Sequence, residues 1–226
     1  MLLAAVSASG QAKPFEPGKP ARTMTTDVYS LGIRNNGHVD VVLADGNPVF
    51  TDAAPMVWFE GEDQPERLRL GARYTGRQSV RDALGQGHGM LFARSDCVWE
   101  LRTYPTKPYL AVRLRYVNTK RKPVRVRMLL PWHVGEPDSG AMWLGPGTAK
   151  AKLLELRRAL EADESALMPL EDDWEALPCV TLLNPNAGRL FMAGALTAEH
   201  ARTHFFLRRN GSDGEALFDR LRESVL

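Results

Sequence analysis

The chain has 226 residues, 25% of them charged, with a net charge of +2 and only two cysteines. Charge this close to balance argues against a dedicated nucleic-acid or polyanion binder, two cysteines with no histidines at ligand spacing cannot form a zinc site, and no stretch approaches the ~20 apolar residues of a membrane span. At this length one large β domain fits as well as two small ones, and a core burying roughly 70% of the unfolded chain's surface needs no staples. The first dozen residues, Met1-Leu-Leu-Ala-Ala-Val-Ser-Ala-Ser-Gly-Gln-Ala12, are small and apolar like the tail of a secretion signal, but they lack its positive n-region. Residues 1–26 are therefore expected to be a disordered arm or a signal remnant, and export to the periplasm or the exterior is favoured.

Short strands separated by turn residues then follow. Val28 to Arg34 runs into Asn35-Asn-Gly37, a tight-turn signal, and His38 to Ala44 returns with Val39, Val41 and Leu43 on one face. Asp45-Gly46 turns the chain again into Pro48 to Thr51, and Pro55 to Glu60 adds an aromatic strand. Arg67 to Arg73, Met90 to Arg94 and Cys97 to Thr103 continue the series. The densest alternation spans Tyr109 to Leu130. Leu110, Val112, Leu114 and Tyr116 alternate with Arg113 and Arg115, then Val124, Val126, Met128 and Leu130 with Arg125 and Arg127. With Asn118 to Pro123 as its turn, this segment is expected to be a hairpin with one arginine face. Cys97 and Cys179 both lie in apolar runs, where a buried thiol is the simpler reading and a disulfide the alternative.

Two segments break the strand pattern. Thr148 is placed to cap a helix reaching about Ala162, with Ala149, Leu153, Leu156 and Leu160 as its apolar stripe. Ser212-Asp-Gly-Glu215 is a capping-box pattern opening a second helix, striped by Leu217, Phe218, Leu221 and Val225. That stripe expects a partner further on. The fold class that results is all-β, a large antiparallel sandwich with one or two short helices.

Self-contained catalytic machinery is sparse. Gly85-Gln-Gly87-His-Gly89 superficially resembles a nucleotide loop, but no helix follows to offer its N-terminus to a phosphate, so a β-turn is expected. His200 and His204 sit in a strand-like run that would hold them roughly 13 Å apart, too far for one metal ion. No Gly-x-Ser-x-Gly elbow exists. Glu60, Glu62 and Asp63, and again Glu136 and Asp138, are carboxylate clusters in loops that sequence cannot pair across a sugar. The arginine face of the hairpin could grip an anion or an acidic sugar, although a solvated outer face is the simpler reading. Of the five tryptophans, Trp58 and Trp99 read as core, while Trp132 and Trp143 lie beside turn-formers and, with His133, are the candidate carbohydrate-binding residues. No catalytic residue, metal site or cofactor is assigned.

The order Gly32-Ile-Arg-Asn-Asn-Gly-His38, Asp82-Ala-Leu-Gly-Gln-Gly-His-Gly89, Tyr104-Pro-Thr-Lys-Pro-Tyr-Leu110, Val117-Asn118, Leu130-Pro131 and Gly194-Ala-Leu-Thr197 resembles the N-terminal β-supersandwich of glycoside hydrolase family 36, which includes α-galactosidases, raffinose synthases and seed-imbibition proteins. The resemblance implies a galactose-mutarotase-like supersandwich over residues 27–211 and the start of a linker helix over 212–226. It implies a scaffold that packs on a (β/α)8 barrel holding both catalytic aspartates, and no motif of that barrel occurs here. The expected partners are thus the barrel domain, a glycan or galactoside, and a second copy of the chain. Because supersandwiches also host epimerase and lyase chemistry, His88, His133, Arg102 and Tyr104 form the alternative set of proton-transfer groups. A stand-alone glycan-binding module is the third reading.

Overall fold

The computed structural model describes residues 2–6, 19–63, 65–68, 70, 74–134, 141–145, 152–154, 167–169, 173–176, 179–194 and 205–209. Every regular element among them is a strand. In chain order these are β1 (Leu2–Val6), β2 (Arg22–Thr25), β3 (Tyr29–Ile33), β4 (Val39–Leu43), β5 (Pro48–Phe59), β6 (Glu66–Arg67), β7 (Tyr74–Asp82), β8 (Gly85–Ala93) and β9 (Cys97–Thr103). There follow β10 (Leu110–Tyr116), β11 (Val126–Val134), β12 (Ala141–Met142), β13 (Lys152–Leu154), β14 (Leu167–Pro169), β15 (Asp173–Ala176), β16 (Cys179–Asn184), β17 (Arg189–Gly194) and β18 (Phe205–Arg209). The chain divides into two compact units, Glu16–His133 and Met1–Phe15 with Val134–Leu226.

The Glu16–His133 unit is an antiparallel sandwich. One sheet runs β11-β5-β4-β3-β2, with β6 beside the second half of β5, and the other runs β10-β9-β8-β7. The Asn35–Gly37 turn closes β3 on β4 as expected. Gly37 has φ 89° and its amide donates to the Arg34 carbonyl at 3.0 Å, a left-handed position that glycine adopts without steric cost. Alternation then aims Leu31, Ile33, Val39, Phe50, Met56, Leu130 and Trp132 from one sheet, and Met90, Phe92, Trp99 and Leu101 from the other, into a buried layer. Trp99 and Trp132 meet with ring centroids 6.2 Å apart, and the Trp99 indole N–H donates to the Pro131 carbonyl at 2.9 Å, joining β9 to β11. The Thr103 hydroxyl reaches the Met24 sulfur at 2.7 Å and so joins β9 to β2.

The expected Tyr109–Leu130 hairpin does not form. Its two strands exist but belong to different sheets, since β10 pairs with β9 and β11 pairs with β5. The shorter connection 104–109 closes β9 on β10, and the Val117 amide extends that ladder by donating to Asp96 at 2.7 Å. By residue 117 the chain is committed to β9, and the segment to Pro123 crosses to the other sheet. The four arginines therefore share no face. Arg113 and Arg115 are exposed on β10, Arg125 meets Glu60, and the Arg127 guanidinium lies 4.7 Å from the Trp58 ring centre.

Other expectations are also corrected. The Gly85–Gly89 run is neither a phosphate loop nor a turn; it is the first half of β8, which pairs with both β7 and β9. A Cβ at Gly87 would collide with the Thr103 carbonyl and the Tyr104 ring, so the glycine is there for close approach. Pro48 to Glu60 contains one continuous strand rather than two, and its pairing with β4 changes register across a bulge that includes Asp52. Leu2–Val6 and Arg22–Thr25, inside the stretch expected as an arm, are strands with partners in register.

In the other unit, β1 pairs in parallel with β18 and with β12, β15 pairs with β18, and β14-β13-β16-β17 form an antiparallel sheet. Lys152–Leu154, in the middle of the helix expected from Thr148, is a strand laddered to both β14 and β16. Backbone pairing on both edges outweighs the local helix propensity of this Ala-, Leu-, Lys- and Glu-rich run, which tertiary context can override. The rest of that helix, the Ser212 helix, and His200 with His204 lie outside the described residues.

Both cysteines are free. Cys97 is buried, and burial first and then the Asp96 carboxylate push its thiol up to about 11, whereas Cys179 is half-buried. A thiol-reactive dye is thus expected to label Cys179 in the native protein and to reach Cys97 only after unfolding. Two titratable thiols should be counted in denaturant without reductant, and a count of none would establish a disulfide instead.

Candidate functional site

Two polar networks in the Glu16–His133 unit gather the groups capable of chemistry. The first sits where β3, β4 and β5 meet. Arg34, at the mouth of the tight turn, donates to Asp40 from Nε at 2.9 Å and from Nη2 at 2.6 Å, and to Asp52 from Nη1 at 2.8 Å. Asp40 also accepts the Asp52 amide at 2.8 Å. His38 Nδ1 lies 2.8 Å from the same Asp52 oxygen and 3.0 Å from the Asn36 amide nitrogen. Burial works against the Arg34 charge, but its bonds to Asp40 and the charges of Asp40 and Asp52 outweigh that, so its pKa lies above the ordinary guanidinium value.

Asp52 is unusual among the described residues as a non-glycine at positive φ, 58°. It occupies the bulge at which the β4–β5 register shifts. An aspartate tolerates this conformation better than a bulky residue does, and contacts to Arg34, His38 and Asp40 hold it there. His38 is 2% exposed and its Nε2 has no hydrogen-bond partner among the described residues. An imidazole anchored on a carboxylate with its other nitrogen unused is the arrangement that prepares a base or a ligand. Here it lies within the fold rather than on an open wall, so the immediate consequence is structural.

The second network links the end of β7 to β9. Tyr104 donates from its hydroxyl to Asp82 at 2.8 Å, and Arg102 Nη1 donates to the same Asp82 oxygen at 3.0 Å. Arg102 simultaneously forks onto Glu100 through Nε at 2.6 Å and Nη2 at 3.0 Å. Burial, then the hydrogen bond to Asp82 and the Asp82 charge, push the Tyr104 phenol up to about 12. Asp82 is held below the usual carboxylate range, first by the Tyr104 hydroxyl and then by the Leu84 amide and Arg102. The shared proton thus stays on Tyr104, which can donate a hydrogen bond but is a poor base near neutral pH.

A pH dependence follows. A folded-state pKa below the unfolded value near 3.9 means that Asp82 stabilises the fold above about pH 4 and loses that contribution as pH falls through its folded pKa. Melting temperature plotted from pH 6 down to 2 should therefore fall less steeply for Asp82→Asn than for the parent chain. Superimposable acid limbs would show that Asp82 has no such linkage.

The residues singled out from the sequence do not converge. Trp132 is 1% exposed, packed edge-on to Phe50 at 5.6 Å and beside Trp99, so neither ring face is open to a sugar. His133 is likewise buried. Trp143, in the other unit, is half-buried with the Arg189 guanidinium 5.6 Å from its ring centre. Of the alternative set, Arg102 and Tyr104 are brought together through Asp82, whereas His88 and His133 take no part in that contact. Glu60 is exposed and paired with Arg125, and Glu136 and Asp138 lie outside the described residues. Among the described residues no group of three His, Cys, Asp or Glu side chains is placed to hold a metal ion.

Sequence reasoning missed roles for Arg34, Asp40, Asp52, Asp82 and Glu100. The available signal was Arg34 and Asp40 flanking a tight turn on opposite arms of one hairpin, which places them as diagonal neighbours, Asp40 opposite Gly32 and Arg34 opposite His38. Nothing in the sequence announced Asp52, because it reaches these residues from β5, through the irregular β4–β5 register. A scan against protein-family models, a search of curated proteins and a search of solved structures each return no match to this chain.

Proposed function

We propose that this chain is a non-catalytic β-sandwich part of a glycoside hydrolase-like protein of α-galactosidase type, serving glycan binding or the packing of a (β/α)8 barrel or a second copy. The observation that carries the reading is how the resembling segments are used. In Gly32–His38, Gly37 makes the turn and Arg34 clamps two carboxylates; in Asp82–Gly89 and Tyr104–Leu110, Gly87 fits under Tyr104, whose hydroxyl bonds Asp82. Residues spent on holding strands together belong to a scaffold. The carboxylates that meet here are each tied to a guanidinium, which suits scaffolding better than a pair set across a glycosidic bond.

The coding sequence downstream of Leu226 tests this directly. The expected continuation encodes a (β/α)8 barrel, and the joined protein should hydrolyse an aryl α-galactoside that the 226-residue chain leaves intact. A stop codon at that point with no barrel-coding sequence beyond it would remove the proposal's catalytic partner.

One contact favours the alternative of an epimerase- or lyase-type enzyme on the sandwich itself, namely Tyr104 on Asp82 beside Arg102. Polarimetry with galactose and ultraviolet detection of unsaturated uronides would reveal such turnover. Its loss in Tyr104→Phe would place the reaction at this contact, and equal traces with and without protein dispose of it.

A further inference from the structure

The outer face of the β10-β9-β8-β7 sheet carries an open depression of about 190 Å³. It is smaller than the roughly 300 Å³ at which ligand pockets begin, leaving room for one ring rather than a chain. Cross-strand register builds it. Arg113 stands opposite Glu100 and Arg115 opposite Val98, while Leu91 pairs with Glu100 on the other side of β9 and Gln78 lies opposite Gly89, over which the Gln78 and Val80 side chains pack. The wall therefore presents two guanidinium groups two residues apart on an edge strand, an amide, and the half-buried aliphatic surfaces of Leu91 and Val98.

The charges on this face are not balanced internally. Glu100 is already held by the Arg102 fork and reached by the Gln78 amide at 3.4 Å. Arg113 and Arg115, by contrast, make no hydrogen bond or ion pair among the described residues, although Arg22, Arg34, Arg94, Arg125, Arg127 and Arg189 each have an acidic or aromatic partner. Three lining arginines face one lining glutamate, an excess of two positive charges, and one remains even when Asp82, which shares Arg102, is included. A planar guanidinium matches a carboxylate bidentately. Apolar patches beside it cover the C–H face of a sugar ring, and an amide suits ring hydroxyls.

We propose that this depression binds a single uronic-acid residue, its carboxylate between Arg113 and Arg115 and its ring over Leu91 and Val98. The site is separate from Trp132, His133 and Trp143, and it stands whether or not a barrel accompanies the chain.

Titrating the full chain with sodium galacturonate, galactose and inorganic phosphate while following Leu91 and Val98 methyl resonances tests it. Galacturonate should give saturable shifts, bind at least about tenfold more tightly than galactose, and weaken as salt rises. The double variant Arg113→Gln/Arg115→Gln should lose about tenfold or more in affinity with its melting temperature retained, since both side chains are exposed. Equal binding of galactose, tighter binding of phosphate, unchanged affinity in the double variant, or no saturable shift would each overturn the assignment.

Discussion

Arg34→Ala is expected to lower the unfolding free energy of the Glu16–His133 unit by about 3–5 kcal/mol, the loss that follows removal of one partner from a buried ion pair. The guanidinium is the part of the network nearest solvent, with 24% side-chain exposure, whereas the Asp40 and Asp52 side chains are 1% and 8% exposed. Deleting the arginine removes the guanidinium from two buried carboxylates, that of Asp40 2.8 Å from the Asp52 amide and that of Asp52 2.8 Å from His38 Nδ1. Arg34→Lys should recover only part of the loss, because an ammonium cannot fork onto Asp40 while reaching Asp52. Guanidinium unfolding followed by tryptophan emission would measure both, since Trp58, Trp99 and Trp132 all report on this unit. A change under about 1 kcal/mol for Arg34→Ala, the range of a surface pair, would mean that the network is solvated and its burial unimportant.

Trp99→Ala is expected to cost about 3–5 kcal/mol, and Trp132→Ala a similar amount, because each removes a buried indole from between the two sheets. Trp99 loses in addition its bond to the Pro131 carbonyl, which leaves that acceptor without its indole donor. With the rings 6.2 Å apart, the double variant should cost less than the two losses added together, since the first cavity already relieves the second. Trp132→Ala also separates core from sugar platform. A stacking residue could be truncated with stability intact and binding gone. The packing around Trp132 predicts the reverse, and a stable Trp132→Ala protein would show that its ring is not part of the core.

The two hairpins with glycine turns, β3–β4 and β4–β5, were legible because Asn35-Asn-Gly37 and Asp45-Gly46 force positive φ at Gly37 and Gly46 within a few residues of the strands they join. The strand character of Leu110–Tyr116 was legible for the same local reason, since alternation needs no partner to be visible. Tyr74–Asp82 escaped notice because five of its nine residues are exposed and its polar sequence carries little alternation; its place is fixed by pairing along the whole length of β8. Lys152–Leu154 was misread because leucines spaced three apart satisfy a helical stripe as well as they satisfy a short strand, and only pairing to β14 and β16 distinguishes them.

The site residues divide along the same line. Arg34 and Asp40 are neighbours across one turn, so their pairing was implicit in the sequence. Asp52 joins them from 18 residues beyond Arg34, and Asp82 meets Tyr104 from 22 residues away. By itself the sequence determined an all-β chain, the location of most strands in the Glu16–His133 unit, and the face of each that is apolar, because side-chain period and turn chemistry act over a few residues. Tertiary structure alone decided that β10 lies beside β9 and β11 beside β5, that Trp132 is core, and that Arg113 and Arg115 stand over an open face with no partner among the described residues. An alternating strand offers the same hydrogen bonds to any partner, so the choice rests on which apolar faces can be buried together.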